Sequence, residues 1–186
     1  MRIISGSLKG RSIDFLKNSE TRPLKDSVRE NIFNIIKHSS SIETKIQGST
    51  ILDLYSGVGS FGIESLSRGA DKVTFIEKDL KACSVLKENL NKLDLVNKSK
   101  IFSAEIENVL NNNLNESFNI FFFDPPFKDF EFSKNIQLIK KNKIFKKKNL
   151  IIIHRESSIN DNLENLFKIL EIKIYGRSKI IFGVFN

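Results

Sequence analysis

The sequence predicts an α/β fold: a mainly parallel sheet covered by helices on both faces. Three observations lead there. From residue 49 onward, short β-prone apolar runs alternate with helical patterns. Several runs, above all Ile120-Phe121-Phe122-Phe123, are apolar throughout, as strands buried on both faces are. The last two runs are separated only by a turn at Gly176, so they must pair antiparallel. The expected architecture is a seven-stranded sheet with an antiparallel C-terminal strand, preceded by a small β-hairpin and a helix.

Each element follows in order. Residues 2–15 read as a hairpin, with Ile3-Ile4 and Ile13 to Phe15 as its apolar pieces and Lys9-Gly10 as its turn. Residues 18–24 are polar linker. Val28, Ile32, Ile35 and Ile36 repeat at helical spacing, and Asp26 or Ser27 can cap that helix. Residues 39–48 are a polar loop. Strands are expected at 50–55, 72–77, 100–103, 119–123, 149–154, 169–175 and 179–185. Helices are expected at 61–67, 80–92, 105–110, 130–140 and 160–166. Two units are expected: the hairpin and linker at 1–24, and the α/β domain at 25–186.

Composition narrows the function. Thirty Lys and Arg against 22 Asp and Glu give a net charge of +8. A basic balance favours a polyanionic partner, nucleic acid first and an acidic membrane surface second. Cys83 is the only cysteine, which excludes an internal disulfide and a thiolate zinc cluster. No signal-peptide pattern and no apolar stretch of spanning length is present, so a cytoplasmic protein without a membrane segment is expected. A monomer is the default state. The lysines between 140 and 148 read as a solvated face.

The chemistry-bearing residues fall at predicted strand ends. Asp53-Leu54-Tyr55-Ser56-Gly57-Val58-Gly59-Ser60-Phe61-Gly62 is a strand end, a glycine loop and a helix start. Gly57, Gly59 and Gly62 fit G-x-G-x-x-G, which permits close backbone approach by a ligand. The carboxylate of Asp53 suits a cofactor with a cationic amino-acid end; a pyrophosphate would be repelled. Glu77 ends the next strand, where an acid can accept both ribose hydroxyls. Lys78 follows it. Glu105 follows the third strand and can accept from an adenine amino group. Asp124-Pro125-Pro126-Phe127 closes the fourth strand. There a carboxylate and the Pro125 carbonyl can accept the hydrogens of a planar amine. The prolines supply no competing N–H, and the Phe127 ring can stack on a heterocycle. Ligands of open α/β sheets bind beyond the carboxyl ends of the strands, so these residues should converge. A cofactor with adenosine and a cationic amino-acid tail fits them, and S-adenosylmethionine meets that description. No metal is implied.

Asp53 to Gly62, with Tyr55, Gly57 and Gly59 in the loop, Glu77, and Asp124-Pro125-Pro126-Phe127 resemble Rossmann-like class I methyltransferases acting on exocyclic amines of bases. The N-terminal string narrows the resemblance. Arg2-Ile3-Ile4-Ser5-Gly6, Lys9-Gly10-Arg11, Thr21-Arg22-Pro23, Asp26, Val28-Arg29-Glu30, Phe33-Asn34 and Leu66-Ser67-Arg68-Gly69-Ala70 resemble the RsmD family. That resemblance spans nearly the whole chain and implies methylation of N2 of one guanine in bacterial 16S ribosomal RNA of the small subunit. The family usually has Tyr at Phe127, Ala and Ser at Ser56 and Val58, and Asp at Glu105. His154-Arg155-Glu156 only partly matches the family's acid-containing pattern, and the sequence assigns it no role.

Arg2, Lys9, Arg11 and Arg22 are the candidate RNA contacts, meeting phosphates without reading sequence. Three other readings compete. An adenine-N6 methyltransferase uses the same amine-gripping step, but the chain lacks room for a target-recognition domain. A nicotinamide oxidoreductase is disfavoured by Asp53 and the Asp-Pro-Pro step. A non-catalytic RNA-binding protein is disfavoured by the intact glycines and Asp124.

Overall fold

The computed structural model describes residues 1–16, 24–112 and 114–186. In chain order its elements are α1 (Asp26–His38), β1 (Thr50–Leu54), α2 (Ser60–Ser67), β2 (Lys72–Glu77), α3 (Leu80–Lys92), β3 (Ser99–Ser103), α4 (Ile106–Asn112), β4 (Phe118–Phe123), α5 (Phe132–Asn142), β5 (Phe145–Glu156), β6 (Lys168–Tyr175) and β7 (Ser178–Val184). The seven strands form one sheet in the order β3-β2-β1-β4-β5-β7-β6. β3, β2, β1, β4 and β5 are parallel neighbours. β7 runs antiparallel between β5 and β6. The α/β expectation holds, including the antiparallel C-terminal strand.

Period-two alternation sorts side chains onto two cores. Ile51, Phe75, Ile120, Phe122, Ile152 and Phe182 face α1, α2 and α3. Leu52, Ile76, Phe121, Phe123, Ile151 and Ile181 face α4 and α5. On the first face Phe61 of α2 is sandwiched between Phe33 and Phe122, at centroid distances of 5.1 and 3.9 Å. Chain order reverses between β1 and β4. This is the topological switch point, where an open α/β sheet leaves a crevice beyond its strand ends.

The N-terminal hairpin is smaller than expected. A single antiparallel bridge, Arg2 with Ser12, replaces paired strands. The reason is competition for its backbone groups. The buried Glu64 carboxylate of α2 accepts from the Ile4 and Ser5 amides at 2.8 and 3.0 Å. Asn89 of α3 accepts from the Asp14 amide and donates to its carbonyl, at 2.8 and 3.0 Å. Ile3 and Ile13 are buried in the same core as α1 and β1.

Other boundaries move. Neither Asp26 nor Ser27 caps α1. Lys25 holds that position, and the Asp26 carboxylate instead pairs with the buried Arg29 at 3.0 Å. Residues 160–163 are irregular and 164–166 form a turn, so no helix is present there. The Asp161 side chain is engaged by Arg155 of β5, and the segment follows that contact instead. β5 starts four residues before the expected strand and carries Lys146, Lys147 and Lys148, all exposed.

Candidate active site

The site is assembled at the carboxyl ends of β1, β2 and β4. The parallel register puts Leu54 opposite Phe123 and Ile76. The residues that follow each strand therefore share one rim. Backbone bonds tie them: the Ser56 amide donates to the Ile76 carbonyl at 3.2 Å, and the Asp124 amide to the Leu54 carbonyl at 3.4 Å.

The glycine loop between β1 and α2 divides two tasks. Gly59 has φ +86°, and a Cβ there would lie 2.4 Å from Leu86 Cδ1, so its lack of a side chain permits packing. Gly57 has φ +53° and a Cβ there would meet nothing within 4 Å. Its bareness keeps open space over the loop, as close approach by a ligand requires.

Asp53 lies beneath that loop, 1% exposed. One carboxylate oxygen, Oδ2, accepts from the Gly62 amide at 3.0 Å. The other, Oδ1, is buried without a partner. Burial pushes the carboxyl well above its ordinary range, the Gly62 N–H opposes this, and the charges of Asp124 and Glu77 push further upward. A buried carboxyl oxygen without a donor is an exception to the rule that buried polar groups are hydrogen-bonded.

Glu77 accepts from the Gly57 amide through Oε2 and from the Asp79 amide through Oε1, both at 2.8 Å. It thus ties the glycine loop to the segment that follows β2. Lys78 and Glu105, both exposed, pair with each other at 3.3 Å. Tyr55, in left-handed conformation at φ +58°, turns its hydroxyl to Asn135 Nδ2 at 3.0 Å. Burial first and the Asp129 carboxylate second make its hydroxyl a weaker acid than usual.

Asp124, on the same rim, is a quarter exposed and accepts at Oδ1 from His154 Nδ1 at 2.7 Å. Pro125 is buried, while Pro126 is exposed and Phe127 half-buried. The Phe127 ring meets the His154 ring edge to face, 5.6 Å between centroids. The Pro126 carbonyl accepts from Arg155 Nη1 at 3.1 Å. Sequence reasoning left His154 and Arg155 without a role, yet they grip the Asp-Pro-Pro-Phe step from both sides. The strand pairing explains it: β5 neighbours β4 with Ile153 opposite Phe123, so the residues that follow are His154 and Asp124.

The candidate RNA contacts do not gather at the rim. Arg2 and Lys9 are exposed, and Arg11 donates to the Lys92 carbonyl at 3.1 Å. The turn before Lys9 binds Ser67, at the end of α2 remote from the glycine loop. Arg22 lies outside the described residues.

Arg155 carries a stability prediction. Its fully buried guanidinium pairs with Asp161 through Nε and Nη2, at 3.0 and 3.1 Å, and lies 4.6 Å over the Phe132 ring. Arg155→Ala leaves Asp161, 7% exposed, uncompensated. The expected loss is about 3–5 kcal/mol in denaturant unfolding. Removing both charges with Arg155→Met and Asp161→Leu should recover most of it. A single variant no worse than the double would show that the pair is not responsible.

The fold and the crevice at its switch point define a class I methyltransferase domain. The family model described as Conserved hypothetical protein 95 matches residues 1–184. The ribosomal RNA small subunit methyltransferase D of Buchnera aphidicola subsp. Baizongia pistaciae is 37% identical over 160 residues, covering 86% of this chain and 78% of that one. The solved structure of yhhF from Escherichia coli has a TM-score of 0.79 at 27% identity, over 98% of this chain and 96% of that one. A solved Haemophilus influenzae chain also has a TM-score of 0.79, at 28% identity, over 100% and 98%. The chain belongs to this family, the RsmD family.

Proposed function

We propose that this protein uses S-adenosylmethionine to methylate the exocyclic N2 amine of a guanine in 16S ribosomal RNA of the small subunit. It would act in the cytoplasm as a monomer. One observation carries the reading. The Asp124 carboxylate, directly after β4, and an unpaired buried carboxyl oxygen on Asp53, one residue before the end of β1, lie on neighbouring strands at the switch point. The relatives' name supports the RNA class of substrate.

The residues present fit the cofactor. Asp53 Oδ1 would receive its ammonium group, Gly57 would leave space for its body, and Glu77 would accept the ribose hydroxyls. Glu105, paired with Lys78 through Oε1, would accept from the adenine amino group. When bound, the cofactor supplies a methyl group on an electron-poor sulfonium.

The chain's own residues would handle the amine. A guanine amine shares its lone pair with the ring, so it is a poor nucleophile until that pair is localised. Hydrogen bonds from N2 to Asp124 and to the Pro125 carbonyl would favour tetrahedral geometry. Arg155 holds the next carbonyl, that of Pro126, and so fixes the step. Phe127 would stack on the base, worth about 1–3 kcal/mol. Asp124 would offset positive charge growing on N2 and could accept the proton that leaves. Reactants held in this way gain up to about 7–11 kcal/mol from orientation. The amine edge engages in pairing within a helix, so the base must be unpaired or flipped.

The test is transfer of a tritiated methyl group from labelled cofactor to 16S rRNA, small-subunit particles and DNA, followed by base analysis. N2-methylguanine in the RNA is the expected product. N6-methyladenine in any arm would replace guanine as the target. Label in none of the three would overturn the proposal.

A further inference from the structure

We infer that His154 is a positioning residue that decides which oxygen of Asp124 is left free to take the amine. The inference rests on the reading of Asp124 as amine acceptor and adds a residue to it. A carboxylate side chain rotates broadly about its last torsion, and either oxygen of Asp124 could turn into the crevice. His154 removes that freedom. Its Nδ1 lies 2.7 Å from Asp124 Oδ1, and an ionised carboxylate only accepts, so Nδ1 carries the hydrogen. Charge assistance makes this the stronger class of hydrogen bond. Oδ2 is then the oxygen left for substrate.

The imidazole is itself fixed. Its Nε2 lies 2.9 Å from Ser178 Oγ on β7. In the neutral ring, Nδ1–H leaves Nε2 an acceptor, so the Ser178 hydroxyl donates to it. The ring is 8% exposed and meets Phe127 edge to face. Ser178, His154 and Asp124 therefore run across β7, β5 and the end of β4, three neighbouring strands. Support on rigid strands is what holds a reacting group to within a fraction of an ångström. The same ring orients the carboxylate that takes the amine and the aromatic that would cover the base.

The experiment compares wild type, His154→Phe, His154→Asn and Ser178→Ala on small-subunit particles. Phe keeps the ring and loses the donor; Asn keeps a donor and loses the ring. His154→Phe should lower kcat by about 10–100-fold, the scale of a small misplacement. Cofactor affinity and thermal midpoint should stay close to wild type. His154→Asn should restore a large part of kcat. Nitrogen spectra of labelled histidine, assigned with His38→Gln, should show hydrogen on Nδ1 of His154 and a mixture of tautomers in Ser178→Ala.

A His154→Phe enzyme with near-normal kcat overturns the inference. So does equal damage in His154→Phe and His154→Asn accompanied by lost cofactor affinity, which marks a structural role. Hydrogen on Nε2 alone overturns it as well. A wild type inert toward every RNA removes the proposed function and this role with it. An active wild type with an indifferent His154→Phe removes this role alone.

Discussion

Asp124→Ala should end methyl transfer while cofactor affinity stays within a few-fold of wild type. The carboxylate acts on the amine, and its truncation removes an acceptor that matters most as charge develops. Loss of one such preorganised group costs about 10²–10³ in kcat, and here the positioning of the amine is lost with it. The electrostatics add a second sign. Asp124 is one of the charges that push the Asp53 carboxyl upward. Its removal eases the ionisation of Asp53, so affinity for a cationic cofactor should hold or rise. Single-turnover transfer and calorimetric cofactor titration check both halves. Turnover near wild type, or affinity lost in step with turnover, would remove Asp124 from the amine-gripping role.

Much of this site was legible because its parts are local. A strand's apolar run, a glycine loop and an Asp-Pro-Pro-Phe step are each contained in ten residues or fewer. Parallel pairing then brings strand ends onto one rim, so Asp53, Glu77 and Asp124 converge without any knowledge of side-chain packing. What stayed hidden is held by long-range partners. His154 meets Asp124 thirty positions away. Glu64 reads as an ordinary helical acid, yet it is fully buried because it accepts two amides of the N-terminal segment sixty residues back. That same capture explains why a hairpin expected from local apolar pieces shrinks to one bridge. The missing helix at 160–166 has a similar origin: Asp161 serves Arg155, and the short segment follows that contact rather than its own periodicity.

Asp53→Asn should have opposite effects on stability and on binding. The folded protein raises the affinity of Asp53 for its proton, chiefly through burial. Such a group's stabilising contribution is full below the ordinary carboxylate range and is lost as pH rises through the folded value. Once ionised, the carboxylate, with Oδ1 unpaired, is therefore a burden on the cofactor-free protein. Asn keeps an acceptor for the Gly62 amide and removes that charge. Above the pH at which Asp53 ionises, the cofactor-free variant should melt higher than wild type, and the difference should shrink as the solution is made acidic. Binding should go the other way. Loss of one partner of a buried charge pair costs about 2–5 kcal/mol, so cofactor affinity should fall by at least about 30-fold. A cationic ligand also favours the ionised form of Asp53, so wild-type affinity should increase with pH across the range where this group ionises. The variant should lack that slope. A variant that melts lower, binds normally and shows the same pH slope would make Asp53 a structural acid, and the ammonium group would need another receptor.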